Sequence, residues 1–206
     1  RHWQERAGLL TPVSKAFSTD IGVDVASIGL QIHGGMGYVE ETGAAALLRD
    51  ARIAMIYEGT NGIQAIDLVV RKLPLAGGAQ VRGYISELRA DIEALRGSNA
   101  EGFGRTAEKC SAAIDQLEEA TNFLLDAQGS GRMDSALAAA TPYLRLFALA
   151  VGGAYLIRGA LADQSAQRVA LARFFAENLI DETEALKSRV IEGGDSLAEA
   201  GAALIA

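Results

Sequence analysis

The segment QIHGGMGYVEETGAAALLRDARIAMIYEGTNGIQ, residues 31–64, decides how the first part of the chain folds. It contains two breaks, the glycine-rich HGGMGY and the EGTNG that follows MIY. Between them lies an alanine-rich run with Leu47, Leu48 and Ala51 at helical spacing. Glycines permit the positive φ values of sharp turns, so each break is expected to end a helix. The segment therefore predicts a helix flanked by two turns.

Helical spacing continues on both sides of this segment. Before it, apolar residues recur every three or four positions: Leu10, Val13, Phe17, Ile21, Val25 and Ile28. Thr11-Pro12 predicts the start of that helix, because proline is tolerated in a first turn. After it, IQAIDLVVRKL predicts a third helix, which Pro74 and the loop LAGGA close.

From Gln80 onward the sequence predicts amphipathic helices that pack as a bundle of about four. One stripe consists of Tyr84, Leu88, Ile92 and Leu95, and a longer seam of Phe103, Ala107, Cys110, Ile114, Leu117, Thr121 and Leu124. The run LRLFALAVGGAYLIRGAL is apolar nearly all round and predicts a buried central helix. Its uncharged part is too short for a membrane span, which needs about 20 residues. A last helix is expected from about Gln167 to Ile191, ending at Gly193-Gly194. The fold class is thus all-α, with units at residues 1–74 and 80–206.

Composition restricts the function classes. The chain has 26 acidic and 19 basic residues and a net charge of −7, which argues against nucleic-acid binding. Cys110 is the only cysteine, so no internal disulfide forms, and with two histidines no zinc site is expected. A reducing compartment and the absence of a signal-peptide pattern predict a cytoplasmic protein. Because the sequence opens on RHWQERAGLL without an initiator methionine, we expect a C-terminal fragment of a longer protein.

The glycine turn has two interpretations. Gly34, Gly35 and Gly37 can simply end a helix, or they can let a ligand approach the backbone N–H groups. The spacing differs from the dinucleotide-binding fingerprint, which also needs a preceding strand. His33 beside this turn is expected to be a hydrogen-bonded structural residue.

Glu58 also has two interpretations from the residues alone. It can be a solvated charge near a helix end, or a carboxylate placed against the apolar Met55, Ile56 and Tyr57, where desolvation would make it a stronger base near neutral pH. Tyr57 by itself is most simply an aromatic at the edge of the core. Thr60 and Asn61 can cap the next helix or contact a ligand.

The glycine turn, LLRDARI and IYEGT together, in this order, closely resemble the C-terminal helical domain of flavin-dependent acyl-CoA dehydrogenases. The resemblance runs from about Leu9 to Leu73. The part from about Gln80 is similar, in length and helical pattern, to the extra C-terminal helical domain of the larger members. One branch of these acts on 3-methylmercaptopropionyl-CoA and related thioesters.

The resemblance implies roles for individual residues. Glu58 matches the base that removes the proton α to the thioester carbonyl, while a hydride passes from the β carbon to FAD and a trans-2-enoyl-CoA forms. The backbone N–H of Glu58 would donate to the thioester oxygen, beside a flavin ribityl hydroxyl. Two of the remaining matched positions border the substrate (Tyr57, Gly59), and three contact the FAD of their own subunit (Thr60, Asn61, Gly62). The last three contact the adenosine-diphosphate half of a neighbouring subunit's FAD (Gln31, Gly34, Gly35).

The same resemblance implies partners and limits. A homodimer is expected, since such tails cover a surface that smaller members use to form tetramers, and an electron-transfer flavoprotein is the expected electron acceptor. Gly62 stands where many relatives have a larger polar residue, so one contact to FAD is in doubt. Two domains that supply most of the flavin and CoA pocket are absent, and we expect these 206 residues alone to bind FAD poorly and to show no turnover. The alternative is a non-catalytic helical module that serves assembly.

Overall fold

A computed structural model describes residues 2–98 and 100–205, and both ranges are helical without a strand. The all-α prediction is confirmed. The helices are α1 (His2–Ile32), α2 (Gly35–Tyr38), α3 (Ala44–Ile53), α4 (Asn61–Asp67), α5 (Ala79–Gly97), α6 (Thr106–Gly129), α7 (Met133–Ala138), α8 (Ala140–Asp163), α9 (Ala166–Asn178) and α10 (Glu182–Ile205). Short 3-10 turns lie at Glu40–Thr42 and Leu75–Gly78, and a π-helical turn lies at Leu68–Lys72.

Helix α1 begins about ten residues earlier than Thr11-Pro12 predicted. Pro12 lies inside the helix, where a proline costs about 3 kcal/mol because it lacks an N–H and crowds the preceding turn. The helix continues through it since Leu9, Val13 and Ala16 are all buried in the core. Tertiary packing therefore overrides the local start signal.

The predicted breaks occur where the glycines stand. Helix α1 ends at Ile32, next to Gly34 with a φ of 61°, and α3 ends just before the segment that carries Glu58. Helices α3 and α4 both pack against α1. The third predicted helix forms as α4 and widens into the π-helical turn, where Leu68 and Val69 are fully buried.

The connection to the second part is a tight left-handed turn. Ala76, Gly77 and Gly78 have φ values of 53°, 64° and 81°. Gly78 is also needed for space, because a Cβ there would lie 2.6 Å from the Leu125 side chain. The chain reverses here and enters α5.

Helices α5, α6, α8 and α10 form the frame of the tail, and α8 lies at its centre. The predicted stripe of α5 and the centre of the α6 seam are buried, as are most side chains of α8. Helix α8 is long and apolar enough to cross a membrane by length and composition alone, but more than half of it is packed inside the protein. The prediction of a buried central helix is confirmed.

The prediction for the last helix is wrong in two respects. The segment forms two helices, α9 and α10, separated by a turn at residues 179–181, and Gly193 and Gly194 lie inside α10. A Cβ on Gly194 would lie 3.1 Å from the Cα of Ser135. This glycine therefore permits the close approach of α10 to α7 and does not end a helix.

The two parts share one hydrophobic core. Helices α1 and α4 both pack against α8, and buried residues continue from Leu9 and Leu68 to Leu146. An ion pair of 2.6 Å between Arg6 and Glu87 joins α1 to α5. The tail therefore supports the first part through α1 and α4.

Candidate active site

Glu58 lies in the turn between α3 and α4, which the structure holds in an unusual backbone conformation. Glu58 and Gly59 have φ values of 55° and 84°. Left-handed backbone is rare for a residue with a side chain and is found where surrounding contacts enforce it, often at functional sites. The turn is closed by a bond of 3.2 Å from the backbone N–H of Asn61 to the carbonyl of Met55.

Side chains hold both carbonyl groups of this turn. The Nε2 of Gln64 donates to the Glu58 carbonyl at 3.1 Å, and the Nζ of Lys15 donates to the Gly59 carbonyl at 2.9 Å. Neither residue is marked by a sequence signal, since Lys15 stands 44 positions before Gly59 and looks like an ordinary polar position on α1. Packing of α1 against α4 brings it to the turn.

The Glu58 side chain itself is exposed. The exposed fractions of its neighbours Ile56 and Tyr57 are 51% and 53%. Of the two interpretations of Glu58, this exposure favours the solvated charge over a carboxylate enclosed by Ile56 and Tyr57. Tyr57 is also more exposed than the prediction of a residue at the edge of the core implies.

The backbone N–H of Glu58 has no hydrogen-bond acceptor within residues 2–98 and 100–205. An unpaired N–H beside an exposed carboxylate offers a donor and a base at one position. That pair of groups is what proton removal next to a carbonyl requires.

Asn61 binds to α1 through its whole side chain. Its Nδ2 donates to the Ala16 carbonyl, the Thr19 hydroxyl and the Asp20 carboxylate at 2.7–3.1 Å. Its Oδ1 accepts from Lys15 at 2.8 Å. The Asn61 side chain thus anchors the turn to α1.

Thr60 and Gly62 lie exposed beside it. Thr60 precedes α4 without capping it through its hydroxyl. A Cβ on Gly62 would meet only the Thr60 hydroxyl, at 3.9 Å. These two positions are accessible to a ligand, and no large side chain stands at Gly62.

The glycine turn forms a second accessible cluster. Gln31, Gly34 and Gly35 are exposed, and a Cβ on either glycine would meet no atom within 4 Å. The Nδ1 of His33 lies 2.9 Å from the Gly29 carbonyl, which confirms the structural interpretation of this histidine. Gly37 differs, because a Cβ there would lie 2.2 Å from the Leu30 carbonyl.

The two clusters do not come together in one chain. Lys15, which contacts the Glu58 turn, and Ile32, which ends α1, are 17 residues apart on one helix, or roughly 25 Å at 1.5 Å per residue. One chain therefore presents two separate surfaces, one with the carboxylate and one with the glycines.

Comparison with known families matches the first part of the chain and the tail separately. Residues 84–200 match the model described as acetyl-CoA dehydrogenase C-terminal like, and residues 2–74 match that of the acyl-CoA dehydrogenase C-terminal domain. The chain belongs to the acyl-CoA dehydrogenase family. It is an oxidoreductase family, and these matches confirm the resemblance found in residues 9–73 and in the tail.

Individual relatives support the same assignment. The 3-methylmercaptopropionyl-CoA dehydrogenase of Ruegeria pomeroyi is 38% identical over 205 residues, which cover 94% of this chain and 34% of that protein. Acyl-CoA dehydrogenase family member 11 of Caenorhabditis elegans is 31% identical over 134 residues, covering 62% of this chain and 20% of the relative. The chain thus spans about a third or less of the length of these curated relatives.

A solved structure shares the fold. The crystal structure of Caenorhabditis elegans ACDH-11 in complex with C11-CoA has a TM-score of 0.72 and 22% identity. The match covers 93% of this chain and 34% of that chain. The helical arrangement of both parts is therefore one that this family uses.

Proposed function

We propose that the chain is the C-terminal part of an FAD-dependent acyl-CoA dehydrogenase in which Glu58 removes the α proton of an acyl-CoA thioester. The observation that carries this proposal is the Glu58 turn. Its carboxylate is exposed on left-handed backbone, the carbonyls of Glu58 and Gly59 are held by side chains, and the Glu58 N–H has no acceptor among the described residues. Family membership supports it.

In this proposal the chain's own groups remove the α proton and stabilise the charge that results. The Glu58 carboxylate takes it from the carbon next to the thioester carbonyl, and the Glu58 N–H donates to the carbonyl oxygen as negative charge develops there. Tyr57 and Gly59 border the substrate in this arrangement. FAD, when bound, supplies the acceptor for the hydride that leaves the β carbon, so the product is a trans-2-enoyl-CoA.

The residues present fit FAD at two accessible surfaces. Thr60 and Gly62 are open on the Glu58 side, and Gln31, Gly34 and Gly35 are open at the end of α1. Since roughly 25 Å separates these surfaces along α1, we assign them to the flavins of two different subunits.

A homodimer follows from that assignment. Helix α1 exposes the apolar Val25, Ile28 and Ile32, with exposed fractions from 59% to 79%, next to the glycine turn. Light scattering on the full-length protein is expected to give a dimer, and a tetramer would contradict the proposal.

We further propose a cytoplasmic protein that passes electrons to an electron-transfer flavoprotein. The buried free thiol of Cys110 is compatible with a reducing compartment.

A non-catalytic assembly role is the second candidate, and one observation favours it for the tail. Helix α9 exposes Leu171 and Phe174 on one face, with exposed fractions of 53% and 56%. Large apolar side chains at helical spacing on a surface are typical of contacts between proteins.

The test uses the full-length protein loaded with FAD, with Glu58→Gln as the variant and the exposed tail carboxylate Glu199→Gln as the matched control. Each protein is mixed anaerobically with a panel of acyl-CoA thioesters that includes 3-methylmercaptopropionyl-CoA, and flavin absorbance is followed. We expect wild type and Glu199→Gln to bleach, and Glu58→Gln to bind thioester but bleach at least about 10²–10⁴-fold more slowly.

Two other results would each contradict the proposal. Equal bleaching of wild type and Glu58→Gln would show that the base lies elsewhere. No bleaching of the wild type with any thioester would leave the assembly role as the better explanation.

A further inference from the structure

Lys15 differs from the other lysines in what it contacts. The chain has four lysines, and Lys72, Lys109 and Lys187 each lie within 4.0 Å of a carboxylate oxygen. Lys15 has no such ion pair among residues 2–98 and 100–205, although it is half-buried. Its ammonium group donates instead to two neutral oxygens of the Glu58 turn.

These contacts reach both sides of Thr60. The Nζ lies 2.9 Å from the Gly59 carbonyl and 2.8 Å from the Oδ1 of Asn61. Hydrogen bonds from a charged donor are shorter and stronger than those between neutral groups. The Asn61 amide is in turn held by α1, so Lys15 and Asn61 form one attachment of the turn to that helix.

This attachment acts where the backbone is least favourable. Within this turn Glu58, a residue with a side chain, has left-handed backbone, and Gly59 follows with the same sign of φ. Without outside contacts such a turn would relax towards common backbone conformations. Gln64 holds the Glu58 carbonyl from α4, while Lys15 holds the next carbonyl from α1.

We infer that Lys15 is a positioning residue for Glu58: by binding the Gly59 carbonyl and Asn61, it fixes the turn that orients the base and its N–H. The inference rests on the proposed function. Lys15 transfers no proton in this arrangement, and its effect passes through the backbone of residues 58 and 59.

The kinetic test uses the full-length, FAD-loaded protein and the thioester that bleaches the wild type fastest. Lys15→Met removes the donor and keeps the length of the side chain, Lys15→Arg keeps a charged donor, and Lys109→Met is the matched control in the tail. Because a displacement of about 1 Å can cost a factor of 10² in rate, we expect Lys15→Met to lower the limiting bleaching rate by about 10–100-fold. The thioester concentration for half-maximal rate should stay nearly unchanged, Lys15→Arg should recover most of the rate, and Lys109→Met should match the wild type.

A second measurement does not depend on activity. Amide hydrogen exchange of the peptide covering residues 54–64, followed by mass spectrometry without substrate, should speed up in Lys15→Met and not in Lys109→Met. If Lys15→Met does not load FAD, Lys15→Gln, which lacks the charge and is shorter, replaces it with the same expected slowing.

The outcomes separate the two ideas. If Glu58→Gln bleaches like the wild type, the proposed function fails. If Glu58→Gln is slow while loaded Lys15→Met, or Lys15→Gln in its place, bleaches at the wild-type rate, the function stands and the role of Lys15 is overturned. Unchanged hydrogen exchange in residues 54–64 would also overturn it.

Discussion

The hydrogen bond between Tyr143 of α8 and Thr121 of α6 should show strong energetic coupling. Both residues are fully buried, and the two hydroxyl oxygens lie 2.7 Å apart. The Thr121 hydroxyl donates to the Leu117 carbonyl at 2.7 Å, so Tyr143 is the donor to Thr121. Removing the Thr121 hydroxyl and removing the Tyr143 hydroxyl therefore have different consequences.

The magnitudes follow from what each change leaves behind. Thr121→Val leaves the buried Tyr143 O–H without an acceptor, which costs about 1–3 kcal/mol of unfolding free energy. Tyr143→Phe removes the donor and costs about 0.5–1.5 kcal/mol. In the double variant no stranded donor is left, so its loss should be smaller than the sum of the two single losses by about 1–2 kcal/mol.

The assay is urea unfolding of the chain, followed by circular dichroism, for the wild type, both single variants and the double variant. Additive losses would refute the reasoning, since they would mean that the two hydroxyls do not depend on each other. Alkaline pH gives an independent check. Burial raises the pKa of Tyr143 above its usual value of 10.0. The contribution of this group to the free energy of unfolding is therefore constant below pH 10.0 and falls as the pH rises past it. Tyr143→Phe should reduce that fall.

Two further predictions concern other buried positions. Burial raises the pKa of Cys110 from 9.0 to about 12, so a thiol reagent at pH 8 should modify it only after unfolding. The free energy of unfolding should fall as the pH rises from 9.0 to about 12. Rapid labelling of the native chain would contradict this prediction. Gly37→Ala places a Cβ 2.2 Å from the Leu30 carbonyl and should lower the free energy of unfolding by about 1–3 kcal/mol or more, whereas Gly35→Ala, with no atom within 4 Å, should leave the melting temperature nearly unchanged.

Local sequence signals predicted most of the helices because helix formation depends on neighbours three and four residues apart. The breaks at HGGMGY and EGTNG and the buried α8 follow from glycine conformations and from apolar spacing. The local signals failed at Pro12 and at Gly193-Gly194, where packing against other helices decides whether a helix continues. In both cases a residue that ends helices in isolation is held inside one by burial or close approach.

The candidate site divides in the same way. The sequence singled out Glu58 and the glycine turn by their motifs, but it left open whether the Glu58 carboxylate is solvated, and the structure shows it exposed. It gave no sign of Lys15 or Gln64, because a side chain that binds a backbone carbonyl leaves no periodic or charge signature.

The amino-acid sequence by itself determined the helical class and the two turns, since these depend on contacts within a few positions of the chain. The candidate site residues came from motifs that resemble those of a known family. Only the tertiary structure decided how the Glu58 turn is held and how far it lies from the glycine turn. Lys15 reaches Gly59 across 44 positions because α1 packs against α4, and that contact exists only in the folded chain.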